Sequence, residues 1–324
     1  MLRMRRRRAV ALVTCGVCAV ALGVVFSRVG HVGSNAHGAG VGSPPASATA
    51  HGSAAPDGTG ATVTPGPQAV DPALFSPGAC MAFPPTNGDR GETVFLDAGH
   101  GGLDPGGVGQ TKSGASVEES TVNLAIELDT MALLRRQGYR VAVSRTRDTT
   151  VTRLTPADVK GGLFTVLGAH NEVAARDVCA NKAKADVLVG IYMDSGEPQN
   201  AGSVTAYDQA RPFSGDNLRL ATQLQSDVLG AMNAQGWEIP NEGVQSDTGL
   251  GSAISSKARA YGHLLLLGPA KSGFFETPSQ MPGALIEPLF VTDPFEASIA
   301  ASAHGQQVIA RAMAGAIEQY LTRS

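Results

Sequence analysis

"EESTVNLAIELDTMALLRRQGYRVAVSRT", Glu118 to Thr146, decides the reading of the fold. Leu124, Ile126 and Leu128 lie on the apolar side of a helix beginning near Thr121. Gly138 is the stop, and Tyr139 to Ser144 read as a β-rich strand. The same helix-then-strand order returns in "HNEVAARDVCANKAKADVLVGIYM". "TVFLDAGHGG", "GSVTAYD", "HLLLLG" and "GALIEPLF" read as further strands, and "DNLRLATQLQSDVLGAMNAQG" as a helix stopping at Gly236. "DPFEASIAASAHGQQVIARAMAGAIEQYLTR" closes the chain as one long helix. Asp293 is its expected N-cap, with Pro294 at the first helical position and Glu296 completing a capping box. Alternating strands and helices predict an α/β fold, a mixed, mostly parallel central sheet with helices on both faces. One globular domain, residues 89–324, accounts for all of it.

The preceding residues have another texture. Arg3 and the run Arg5 to Arg8 form a basic segment, 1–8, before the uncharged apolar stretch Ala9 to Phe26. A basic flank before an apolar run is the export pattern, and fits either a signal peptide or a retained membrane anchor. Small-x-small cleavage candidates first occur around Ala46 to Ala50, which favours retention. Residues 27–88 are rich in Gly, Ser, Ala, Pro and Thr, too poor in large apolar groups to fold, and read as a disordered linker. Cys15 and Cys18 fall inside the apolar run; Cys80 and Cys179 remain for the exported part, where two thiols can pair. The formal net charge of −3 gives no reason to expect nucleic acid as a partner.

Three places carry chemistry. Asp97 and His100 follow directly on an apolar strand, and an imidazole oriented by a nearby carboxylate suits a metal ligand. Glu118 and Glu119 stand at a helix start, where acids also favour the macrodipole. Glu287 ends the strand in "PGALIEPLF", where a desolvated carboxyl suits general-base work.

With "VFLDAGHGGLDPGGVG", "RDVCANKAKADVLVGIYMDSG" and "PGALIEPLFVTDPFEA" in this order, residues 92–322 resemble the zinc-dependent N-acetylmuramoyl-L-alanine amidases of the amidase-3 class. The resemblance implies hydrolysis of the amide between N-acetylmuramic acid and L-alanine of the peptidoglycan stem peptide. It implies Zn²⁺ on His100 and Glu119, Glu287 as catalytic base, and Arg176 and Asn181 on a helix beside the site. An exported domain tethered to the membrane by its N-terminal helix would meet peptidoglycan there.

One position departs from the family pattern. Tyr192 stands where the family has its third zinc ligand, a histidine. Three substitutes are conceivable: Tyr192 as phenolate, Asp194 on the same strand face, or His170 or His263 from elsewhere. Met193 is the poorest donor for zinc. A zinc amidase therefore stands beside an alternative, an inactive amidase-like domain that binds peptidoglycan or regulates cell-wall hydrolases.

Overall fold

The computed structural model describes residues 66–250 and 255–323. The expected basic segment, anchor helix and most of the expected linker lie outside these residues. No helix among the described residues is long and apolar enough to cross a membrane.

The chain begins with β1 (Gln68–Ala69), β2 (Ala79–Phe83) and β3 (Thr93–Ala98). A small hairpin of β4 (Val108–Gln110) and β5 (Ser116–Glu118) leads into α1 (Glu119–Arg136) and β6 (Arg140–Arg145). A second hairpin, β7 (Val159–Lys160) and β8 (Leu163–Phe164), precedes α2 (Val166–Lys182) and β9 (Val187–Ile191). Then come β10 (Ser203–Tyr207), α3 (Ser214–Asn233), β11 (Asn241–Ser246) and α4 (Ser256–Tyr261). The end is β12 (Gly283–Glu287), α5 (Pro294–Ala300) and α6 (Ala303–Thr322).

Eight strands form one mixed sheet in the order β1-β2-β6-β3-β9-β12-β10-β11. The middle four, β6, β3, β9 and β12, are parallel, so their carboxyl ends share one edge. Alternation along each strand serves two cores. Val94, Leu96, Val141, Val187 and Val189 pack with residues of α1, α3 and α6, and Phe95, Ala142 and Leu188 pack on the α2 side. The expected α/β architecture, with helices on both faces, is therefore present.

Five sequence expectations need correction. Residues 66–88 are not linker: β1 pairs with β2, β2 pairs antiparallel with β6, and Cys80 is bonded to Cys179 of α2, with Cα atoms 5.6 Å apart. The segment is held by backbone pairing, the disulfide and a few apolar anchors, with Phe75 buried in the α2-side core and Met81 and Phe83 packed on the other. "HLLLLG" is a turn, closed by Gly268 N–H on Leu264 O at 2.8 Å; its apolar side chains Leu266 and Leu267 are buried without strand pairing. The closing helix is two, because the Ser302 hydroxyl caps a fresh start at Gly305 N–H. Asp293 does cap α5, with Pro294 first, but Glu296 reaches back to Phe290 N–H at 2.7 Å, so no capping box forms. On α1 the buried face is Val122, Asn123, Ile126, Glu127, Thr130 and Leu134, while Leu124 and Leu128 are only half-buried. Apolar spacing misplaced that face because its polar members are spent inside, Glu127 Oε1 accepting Ala98 N–H at 2.9 Å and the Ser144 hydroxyl at 3.2 Å.

Candidate active site

The turn after β3 places His100 at the carboxyl edge of the sheet. Its backbone is left-handed, with φ of 62°, a conformation a non-glycine residue holds only when its surroundings impose it. Arg176, fully buried on α2, does this by donating to Ala98 O at 2.7 Å and His100 O at 2.9 Å. Arg145 adds bonds to Ala98 O at 3.2 Å and Gly99 O at 3.1 Å. Two buried guanidiniums thus shape this turn. Its glycines permit close approach: a β-carbon at Gly106 would stand 2.6 Å from Glu119 Oε2 and 2.8 Å from His100 Cδ2.

His100 sits between two carboxylates. Nδ1 meets Asp104 Oδ2 at 2.7 Å and Nε2 meets Glu119 Oε1 at 3.1 Å. The orienting acid is therefore Asp104, not Asp97. Burial pushes the Asp104 carboxyl up, but the His100 ring and Gly106 N–H outweigh it and hold the pKa below the usual value. Asp97 instead takes Arg176 Nη1 at 2.5 Å and the Tyr192 hydroxyl at 3.1 Å. Arg176 also meets Glu172 at 3.1 Å, one turn earlier on α2.

Glu119, the first residue of α1, is buried and fixed. Oε1 accepts Met193 N–H at 3.1 Å and the Asn123 amide at 3.3 Å, and Oε2 accepts Gly107 N–H at 2.8 Å. Met193 thus contributes its backbone, not its sulfur. Glu118 precedes the helix as an exposed residue.

Glu287 ends β12, next to β9 in the sheet. It lines the same cavity of about 730 Å³ as His100, Glu119 and Tyr192. Burial, then the charges of Asp194 and Glu119, raises its pKa well above the usual 4.5, and the nearby His100 ring pulls the other way. Asp194 is raised to about 6 by burial and the Glu119 charge, although Ser195 N–H donates to its Oδ1 at 2.6 Å. Glu119, Asp194 and Glu287 form an acidic cluster, with the His100 imidazole beside Glu119 and Glu287.

The expected residues divide accordingly. His100, Glu119, Tyr192, Asp194 and Glu287 come together, and Asp97 and Arg176 support the turn beneath them. Asn181 does not reach the site: its amide donates to Pro278 O at 3.0 Å and accepts Gln280 N–H at 2.8 Å, anchoring a distant loop. Asp104 was missed, although it is four residues after His100 within "GHGGLD".

A catalytic zinc normally has three protein donors and one open position. His100 Nε2 and Glu119 Oε1 supply two. The Tyr192 hydroxyl faces Asp97, and burial followed by the Asp97 charge pushes its pKa well above 10, away from the phenolate. Its ring stands edge-on to that of His100, centroids 5.5 Å apart. Asp194 lies near Glu119 with its Oδ1 taken by Ser195 N–H, and the two histidine substitutes are placed elsewhere. His170, on α2, has its ring against Phe274 at 4.9 Å. His263, which opens no strand, lies with Asp208 and Asp247, and among the described residues these make the one set of three His, Cys, Asp or Glu donors close enough to share an ion. As they stand, His100, Glu119 and Tyr192 do not fit a three-donor zinc centre.

Comparison with known proteins agrees with the fold. YqiI of Bacillus subtilis is 27% identical over 233 residues, covering 71% of this chain and 85% of that protein. The N-acetylmuramoyl-L-alanine amidase AmiA of Salmonella typhimurium is 28% identical over 244 residues, covering 70% of this chain and 75% of AmiA. The CwlD amidase of Clostridioides difficile, solved in complex with the GerS lipoprotein, superposes with a TM-score of 0.53 at 21% identity, covering 72% of this chain and all of CwlD. At that identity the superposition speaks for the fold alone. The profile of the Amidase_3 family, N-acetylmuramoyl-L-alanine amidase, matches residues 94–319, from the strand before His100 to the last helix, and the chain belongs to that family.

Proposed function

We propose that this chain is a peptidoglycan amidase acting on the bond between N-acetylmuramic acid and L-alanine of the stem peptide. The observation that carries this reading is the shared cavity, in which Glu287 faces the same space as His100 and Glu119. Burial and the neighbouring carboxylates raise the Glu287 pKa well above that of a free carboxyl, which suits a group that takes a proton from water and returns one to a leaving amine. Asp104, Arg176 and Arg145 hold the turn that carries His100. The Cys80–Cys179 bond suits an oxidising compartment outside the cytoplasm. The N-terminal sequence supports export, with Ala9 to Phe26 as a retained anchor at the outer face of the membrane.

The seating of Tyr192 on Asp97 favours a second reading, a domain that holds muropeptide without cleaving it. Metal content and muropeptide hydrolysis of the full chain, measured on wild type and Tyr192→His, separate the two. Amide cleavage by the wild type, abolished in Glu287→Gln, supports the enzyme. Wild type without turnover, and turnover restored in Tyr192→His together with one zinc per chain, assigns the binding role.

A further inference from the structure

A second constellation lies on the same side of the sheet, at its opposite edge. β10 runs antiparallel to β12, with Val204 opposite Glu287, and parallel to β11. Asp208 follows β10 by one residue and Asp247 follows β11, so both emerge where β12 begins. Four residues separate Asp208 from the level of Glu287, about 13 Å at strand rise. His263, just past α4, meets them there and also lines the cavity shared with His100 and Glu287.

The three side chains converge on one point. His263 Nδ1 is 2.9 Å from Asp208 Oδ2 and 3.3 Å from Asp247 Oδ1. Each carboxylate is fully buried and held by backbone through its other oxygen. Asp208 Oδ1 accepts Ala210 and Arg211 N–H, both at 2.8 Å, and Asp247 Oδ2 accepts Leu264 N–H at 3.1 Å. What remains is turned inward. Asp208 Oδ2 is completely buried and makes no aligned hydrogen bond; the His263 ring at 2.9 Å is the ion-pair neighbour it has inside the cluster.

We propose that Asp208, Asp247 and His263 bind a divalent transition-metal ion, zinc or manganese, at the far end of the cavity from His100. One imidazole nitrogen with carboxylate oxygens suits zinc, the two carboxylates suit manganese, and two negative charges balance the ion's own. The backbone donors on Asp208 and Asp247 fix the ligands as outer contacts do at metal sites. Without a cation the two carboxylates face each other across the single His263 ring. The bound ion would join the ends of β10 and β11 to the segment after α4, leaving a face towards the cavity.

The test uses the full-length chain, stripped with chelator and titrated with ZnCl₂ or MnCl₂, by calorimetry and elemental analysis. A His100→Ala/Glu119→Gln protein removes the first pair of donors. It is expected to retain one ion per chain and to gain thermal stability on metal addition. Asp247→Asn and His263→Ala are expected to weaken that binding on the order of 100-fold and to lose the thermal shift. Retention in these two variants together with loss in His100→Ala/Glu119→Gln would overturn the assignment. So would absence of millimolar-or-better binding by the wild type, which would leave the cluster an ion pair only. If the cluster variants do not fold, X-ray absorption of the zinc-loaded His100→Ala/Glu119→Gln protein decides: one imidazole nitrogen with oxygens at about 2.0–2.2 Å supports the site, an all-oxygen shell refutes it. Hydrolysis is not a readout, so the result is independent of the amidase reading.

Discussion

The Tyr192 hydroxyl donates to Asp97 Oδ2 at 3.1 Å, and the other oxygen of that carboxylate takes Arg176 Nη1 at 2.5 Å. The tyrosine therefore belongs to the buried polar network that also holds the backbone of His100. Tyr192→Phe leaves the arginine pair intact and removes one donor from Asp97. The expected loss is about 1 kcal/mol of stability by urea unfolding, with the fold unchanged by circular dichroism. An unchanged midpoint would show that the hydroxyl contributes nothing.

Asp104 fixes His100 through Nδ1 at 2.7 Å from the wall of the same cavity. Asp104→Ala should free the ring to turn and lower muropeptide hydrolysis by about 10- to 100-fold, as losing an orienting carboxylate typically does. Asp104→Asn, which can still accept a hydrogen bond, should recover part of that loss. Equal rates for the two variants would deny the orienting role.

Glu127 is buried inside α1, and burial, opposed chiefly by Arg145, raises its pKa from 4.5 to about 8. The folded chain then binds this proton more tightly than the unfolded chain. Its contribution to stability is fully present below about pH 4.5 and is lost as pH rises towards about 8. Glu127→Gln removes the titration, so the stability difference between variant and wild type should shift in the variant's favour by more than about 1 kcal/mol between pH 5 and pH 8. Urea unfolding at several pH values reads that difference directly.

The Cys80–Cys179 bond closes a loop with a sequence separation of 99. Reduction, or Cys80→Ser with Cys179→Ser, should cost about 2–4 kcal/mol and detach β1 and β2 first. Thermal unfolding with and without reductant measures the cost, and hydrogen exchange at Met81 and Ala82 locates it.

Much of this molecule is legible in its sequence. The alternation of apolar strands with helices carries the sheet, because strand burial depends on local pattern. His100 and Glu287 stood out because each lies at the carboxyl end of an apolar strand, whereas Glu119 stood out only through the family resemblance. Asp104 acts across a glycine turn whose path no periodicity records. The Asp208–Asp247–His263 cluster was hidden for two reasons: β11, "NEGVQS", is largely polar, and "HLLLLG" imitates a strand. "TAYD" and "VQSD", each an acid closely following a strand, were the available signal. The polar face of α1 escaped because its partners, Ala98 and Ser144, are remote in sequence.

The reversal of β10 against β12 has a consequence for how this cavity can change. A sheet of parallel strands alone presents side chains for chemistry at one edge, so every alteration there disturbs the same neighbours. Here the strand that follows β9 turns back, and both edges border a single space. Along the strands the two edges stand about 13 Å apart, farther than most side-chain couplings extend. Tyr192 could thus be exchanged at one edge without disturbing Asp208 and Asp247 at the other, and each edge is free to diversify on its own.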